Sequence, residues 1–202
     1  MPIFLKTDTP DWLDIAKNAI FHKKVVALAY ERLFGLAADA SSREAVAKVA
    51  AIKERDPESA GPRPIAVILP HVSAVETVAE SLSPEAERLA NRFWPGPLTL
   101  IVRARPSLPR PLVSRAGGIG IRVAGLSPAA LLSSACGLPL TATSANRAGE
   151  TDALRHTDME GIDGIDVIVE GVVEGPPGST VVDVMDDTPR VLRRGIIDIE
   201  EA

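Results

Sequence analysis

Two rhythms of apolar positions alternate along the chain. Trp12, Leu13, Ala16, Ala19 and Ile20 return every three or four residues, the period of one helix face, and Thr9 followed by Pro10 supplies a start signal. Residues 25–29 are instead a short continuous apolar run, read as a strand that enters an irregular loop at Tyr30, Glu31 and Arg32. Ser41 and Glu44 have capping-box spacing, which predicts a second helix from there to Lys53. Prolines and a glycine mark 56–64 as loop, and 65–69 reads as a strand between two prolines. Ser83-Pro84-Glu85 opens a helix that stops before Pro95, and Ser127-Pro128 opens a shorter one. Strands are predicted at 98–102, 119–123, 138–142, 167–169, 180–184 and 191–192, with 171–178 as a flexible connector. The expectation is one α/β domain. Its sheet should be twisted and mixed parallel/antiparallel with flanking helices, because the late strands lack room for crossover helices.

The 202 residues fit one domain. A single cysteine, Cys136, excludes an intramolecular disulfide and a cysteine zinc cage, and points to a reducing compartment. No sustained apolar run occurs at the N-terminus or elsewhere, so a cytoplasmic protein with no signal peptide and no membrane partner is expected. The net charge of -5 conceals a split: residues 1–149 are net +5 and residues 150–202 net -10. Between Arg88 and Gly149 stand eight arginines and no carboxylate. Such a stretch is either a solvated basic face or part of a pocket for a polyanion, and composition does not choose between them.

Common cofactor signatures are missing. There is no GxxxxGK[ST] phosphate loop, and Gly117-Gly118-Ile119-Gly120 lacks dinucleotide-binding spacing and reads as a turn before a strand. His22, His71 and His156 are too scattered for a catalytic metal site, so no metal ligands are assigned. Cys136 lies in an apolar helix and reads as a small buried hydrophobe.

Four separated segments, taken together, resemble the YrdC/Sua5 (YciO/YwlC) family. They are Lys53-Glu54-Arg55, the run from Arg92 to Thr99 (RFWPGPLT), the run from Thr143 to Gly149 (TSANRAG), and Ser179-Thr180-Val181-Val182-Asp183 followed by Leu192-Arg193-Arg194-Gly195. They occur in family order across a unit expected at 12–197, flanked by short terminal extensions. The resemblance implies a YrdC-like fold with a concave positive pocket. Its best-known members are threonylcarbamoyl-AMP synthases, which join threonine, bicarbonate and ATP, with Mg²⁺, into threonylcarbamoyl-AMP and pyrophosphate for modification of adenosine 37 of transfer RNAs. Some relatives bind double-stranded RNA.

Carried over position by position, the resemblance implies a nucleotide site of Lys53, Arg55, Arg63, Ser144, Asn146, Ser179 and Arg193, with Lys53 and Arg55 catalytic through charge stabilisation. Arg122, Thr143 and Thr180 are further pocket candidates. Arg122 interrupts an apolar strand and needs an anion or a polar partner if it points inward. One segment departs. Where the synthases have Pro-Thr-Asp-Thr-Val-Tyr-Gly-Leu, this chain has Ala29-Tyr30-Glu31-Arg32-Leu33-Phe34-Gly35-Leu36. Tyr30, Glu31, Arg32 and Phe34 thus form an altered substrate loop in which two small hydroxyl groups and a phenol are lost. The leading expectation is threonylcarbamoyl-AMP synthase-like chemistry. The alternatives are an adenylate-forming enzyme for another small amino-acid or carbamoyl substrate, and a non-catalytic double-stranded RNA- or nucleotide-binding protein.

Overall fold

The computed structural model describes residues 1–60, 64–186 and 188–199. The strands, in chain order, are β1 (Ile3–Leu5), β2 (Val26–Tyr30), β3 (Leu33–Ala37), β4 (Ala66–Ile68), β5 (Leu98–Arg103), β6 (Gly118–Arg122), β7 (Leu140–Ser144), β8 (Val167–Val169), β9 (Thr180–Asp183) and β10 (Arg190–Arg193). The helices are α1 (Trp12–Phe21), α2 (Arg43–Ile52), α3 (Pro84–Phe93) and α4 (Pro128–Cys136). Among the described residues, ten strands join one mixed sheet in the order β1-β8-β2-β3-β7-β4-β6-β5-β9-β10. Parallel pairs (β1–β8, β2–β8, β4–β6, β5–β9) are interleaved with antiparallel ones (β2–β3, β3–β7, β4–β7, β5–β6, β9–β10).

Side chains alternate across this sheet, and the alternation decides where an opening can form. Ala27, Phe34, Leu36, Val67, Leu98, Leu100, Ile119, Ile121 and Val182 point to the face covered by α2 and α3, in one large apolar cluster with Val46, Val49 and Leu89. Val26, Leu28, Tyr30, Ile68 and Leu140 point to the opposite face, against Trp12, Ala16 and Ile20 of α1 and Ala129 and Leu132 of α4. The second cluster ends near β4. Farther along that face the strands present Ala66, Gly120, Thr99 and Val181, and these line a cavity instead of a helix interface. β6 shows the division within one strand: its isoleucines join the core cluster, while Gly120 and Arg122 line the cavity.

Serine caps start three helices. Ser42, Ser83 and Ser127 accept from the amides of Ala45, Ala86 and Ala130 at 3.2–3.3 Å. The expected cap at Ser41 moves by one residue, because the Ser41 hydroxyl donates instead to Asp39 at 2.5 Å. The irregular loop expected at 30–32 is a hairpin turn: Tyr30 ends β2, Glu31 and Arg32 turn the chain, and β3 follows in antiparallel register. β3 was hidden because Leu33-Phe34-Gly35-Leu36 shows no simple alternation. Gly118, expected in the turn before the strand, is the first residue of β6, and at Gly118 and Gly120 one sheet face admits little volume. β1 lies before residue 12 and extends the sheet beside β8. Among the described residues, no helix is long and apolar enough to cross a membrane.

Gly195 closes the C-terminal segment against β9. A Cβ there would collide with backbone atoms of Gly178, Ser179 and Thr180, and the Gly195 amide donates to Thr180 Oγ1 at 3.1 Å. Gly195→Ala should therefore cost about 2 kcal/mol, read from the urea midpoint; an unchanged midpoint would show that the backbone gives way freely.

Candidate functional site

A cavity of about 690 Å³ opens on the bare half of the sheet. Its rim is made by the β2–β3 turn, the end of β7, the entry to β9 and the end of β10. Thr143, Ser144, Ser179, Arg122, Arg193 and the altered loop residues Tyr30, Glu31, Arg32 and Phe34 all line it. Thr180 does not: its hydroxyl donates to the Ile197 carbonyl at 2.6 Å and so fastens the C-terminal segment. Arg63 lies outside the described residues.

Lys53 and Asn146 stand behind the Ser144 wall, and neither they nor Arg55 line the cavity. α2 ends in a Schellman turn: the Arg55 amide bonds the Ala50 carbonyl at 2.8 Å, the Glu54 amide bonds Ala51 at 3.0 Å, and Glu54 adopts φ +49°. This turn holds two cations two residues apart. The Lys53 ammonium, itself buried, donates to the Ser144 carbonyl (3.2 Å), the Asn146 carbonyl (2.8 Å) and Asn146 Oδ1 (2.5 Å). Ser144 Oγ also donates to Asn146 Oδ1 at 2.7 Å, and Asn146 Nδ2 donates to the Glu150 carbonyl at 2.6 Å. Burial first, and then the charge of Arg55, pull the Lys53 ammonium down to about 8, while Asp152 and Glu150 pull the other way.

Across the cavity, Arg193 forks onto Ser179. Its Nε and Nη2 donate to the Ser179 carbonyl at 3.1 and 2.9 Å, and Nη2 also reaches Ser179 Oγ at 3.1 Å. Ser179 Oγ lies 2.8 Å from Thr99 Oγ1 on the cavity floor. Asp183, at the end of β9, pairs with Arg190 at 3.0 Å and belongs to the β9–β10 hairpin.

The altered loop is tied down by contacts that sequence reading missed. The Tyr30 ring lies over Gly35, where any Cβ would strike it, and its hydroxyl donates to the Thr141 carbonyl at 2.5 Å. Burial raises that phenol further above its ordinary range. Arg32 leans outward, donating to the Gly175 and Pro177 carbonyls at 3.1 Å and pairing with Glu174, so the expected flexible connector is clamped at this point. Phe34 is fully buried in the core. Glu31 turns inward, accepting from Arg122 Nη1 and from the Gly125 amide, each at 2.5 Å. The partner that Arg122 needed is therefore supplied by the loop itself, across 91 residues of sequence.

Of the eight arginines in the carboxylate-free stretch, Arg122 alone lines the cavity. Arg88 pairs with Glu85, Arg92 stacks over Phe93, and Arg147 donates to the Gly161 carbonyl. Asp152, an acid outside every motif, also lines the cavity. Cys136, expected to be buried, is only half-buried against the second apolar cluster, and that burial pushes its thiol up to about 11. Among the described residues, no group of three or more His, Cys, Asp or Glu could hold a metal ion.

Lys53 should titrate near pH 8 by NMR of its ε-methylene. Its folded-state value lies below its ordinary 10.5, so below about pH 8 the cost of its burial is fully present. That cost should be relieved as pH rises from about 8 towards 10.5. Stability should gain there in the wild type relative to Lys53→Met; parallel pH profiles would disprove the shift.

The Sua5_yciO_yrdC family model, described as "Telomere recombination", matches residues 18–195. The Bacillus subtilis threonylcarbamoyl-AMP synthase is 33% identical over 204 residues, covering 98% of this chain and 57% of the relative. The chain thus spans little more than half the length of the first curated relatives it matches. The crystal structure of Pyrococcus abyssi Sua5 complexed with L-threonine superposes with a TM-score of 0.86 at 29% identity, covering all of this chain and 59% of that one. Escherichia coli YciO, at 22% identity, shares the fold with a TM-score of 0.84 and is covered over 98% of its length. With 178 of its 202 residues inside the family model and its fold reproduced end to end, the chain belongs to the Sua5/YciO/YrdC family.

Proposed function

We propose that the protein forms an acyl adenylate in the central cavity, by the threonylcarbamoyl-AMP synthase reaction or a close variant of it. In that reaction, threonine and bicarbonate condense to a carbamate with loss of water. A carbamate oxygen attacks the α-phosphorus of ATP, the bond to the leaving diphosphate breaks, and pyrophosphate departs. The observation that carries this reading is one cavity flanked by three devices: the Lys53–Arg55 turn, the Ser144–Asn146 turn and the Ser179–Arg193 fork. Its volume suits a small-molecule site. Membership of a family that includes threonylcarbamoyl-AMP synthases supports it.

The chemistry asks for charge neutralisation and alignment rather than a covalent intermediate. Arg55, Arg193 and, by the resemblance, Arg63 would balance phosphate charge and give the concave site its positive character, while Lys53 would hold the Ser144–Asn146 turn in place. Arg32 and Arg122 on the wall are offset by Glu31 and Glu174. Mg²⁺ would enter on the ATP phosphates, with Asp152 as the wall carboxylate able to join its shell; bound there, it would neutralise the departing diphosphate. In this reading the 12–197 unit is the catalytic domain, works in the cytoplasm, and makes a product destined for transfer RNA.

The altered loop bears on selectivity. Two positions that carry threonine in the synthases here carry Tyr30 and Arg32, whose polar atoms are engaged by the scaffold. Pyrophosphate release should require ATP, Mg²⁺ and bicarbonate, with weak preference for threonine among amino acids. Strong threonine selectivity would overturn the selectivity reading, and no release with any amino acid would overturn the enzyme reading. Arg55→Ala should lower turnover about 100-fold; full activity would remove Arg55 from the phosphate role.

A second reading has its own observation. Arg103, Arg105, Arg110 and Arg115 are exposed within the carboxylate-free stretch, on the segment that leaves β5 and returns to β6. Double-stranded RNA binding there would weaken steeply with salt and persist without ATP turnover.

A further inference from the structure

The contact between Glu31 and Arg122 differs from the other ion pairs of the molecule in where it sits. Both residues line the central cavity, and their side chains are 18% and 11% exposed. The carboxylate engages two donors at once: one oxygen accepts from Arg122 Nη1, the other from the Gly125 amide, each at 2.5 Å. A guanidinium and a backbone N–H set to receive the two oxygens of one carboxylate make a carboxylate-binding arrangement. Gly125 makes this approach possible, since a Cβ at that position would stand 3.0 Å from Glu31 Oε1. The occupant reaches this corner from a two-residue hairpin turn fixed by Tyr30 on one side and by Arg32 on the other.

We propose that Arg122 and the Gly125 amide form a carboxylate subsite that Glu31 fills from within the chain, so that a ligand carboxylate reaches it only by displacing Glu31. A tethered group competes at an effective concentration on the order of mM or more. Small carboxylates at lower concentration are therefore kept out of this corner, and Arg122 is neutralised without a ligand. The corner then accepts an uncharged portion of whatever occupies the cavity, and Glu31 sets that preference. This inference is independent of whether ATP is the nucleotide or whether turnover occurs.

The test uses sodium acetate as probe, with sodium chloride at equal ionic strength as control. Wild type, Glu31→Ala and Glu31→Ala/Arg122→Gln are followed by the Gly125 amide resonance and by thermal melting. In Glu31→Ala, acetate should bind saturably, move the Gly125 resonance and raise the melting temperature, with an affinity at least tenfold above that of wild type. The double variant should lose the response. Equal acetate affinity in wild type and Glu31→Ala, or a response matched by chloride, would overturn the proposal. Should Glu31→Ala unfold, recovery of its fold by acetate but not by chloride supports the subsite, and failure of acetate to restore it counts against it. Glu31→Gln, which keeps the shape and one acceptor but not the charge, should bind acetate no better than wild type; acetate binding as tight as in Glu31→Ala would show that Glu31 does not act by occupancy.

Discussion

The two faces of the sheet are not equally covered, and the rest of the molecule follows from that difference. One face is buried from β8 to β9 by α2, α3 and the elements around them. The other is covered by α1 and α4 only as far as β4. A helix over the remaining half would need large apolar side chains beneath it. The strands offer mainly the small Ala66, Gly120 and Thr99 beside Ile101 and Val181, and a Cβ on Gly120 would lie 3.2–3.4 Å from its three nearest neighbours. The opening is thus written into strand composition: isoleucines hold β6 to the core on one side while Gly120 adds no side chain to the cavity floor on the other.

Around that opening the chain sets charges whose partners lie within the fold. Lys53 is the clearest case. A buried ammonium is costly unless each of its donors is met, and here all three face acceptors of the β7 turn. The same contacts fix the Asn146 amide, whose oxygen takes both Lys53 and Ser144 while its nitrogen is committed to Glu150. The end of α2 and the end of β7 are therefore set by one interaction. The hairpin turn uses a related device with opposite signs, Glu31 directed into the cavity and Arg32 outward to the 175–177 backbone.

Much of this was legible in the chain. Helices announced by serine and proline appear within a residue or two of expectation, and so do strands bounded by proline or made of β-branched runs, because local sterics and capping decide them. Short strands with no such punctuation, β1 and β3, did not show, since only pairing to β8, β2 and β7 makes them strands. Ser144, Ser179 and Arg193 could be named from their motifs, and all three line the cavity. The Glu31–Arg122 pair could not be found, because a contact across 91 residues is fixed by topology and leaves no local trace. The carboxylate-free stretch misled in the other direction: it marks one cavity arginine, while Arg32 and Arg193 come from outside it. Thr180, matched by motif, is turned to the backbone by the register of β9.

The two serines of the cavity are not equivalent, and their hydrogen bonds say how each can serve a ligand. Ser144 gives its proton to Asn146 Oδ1, an oxygen also held by Lys53, so what it turns outward is lone pairs. Such a group accepts from a sugar hydroxyl and cannot donate to a phosphate oxygen without giving up Asn146. Ser179 already receives a guanidinium proton from Arg193, and its own proton can turn towards Thr99 or towards a ligand. A hydroxyl polarised by an arginine, next to that arginine's fork, is matched to an anionic oxygen. On this reasoning a nucleotide would lie with its ribose on the β7 side and its phosphates towards β9, and Lys53 would act on the sugar end by holding the turn rather than by touching phosphate.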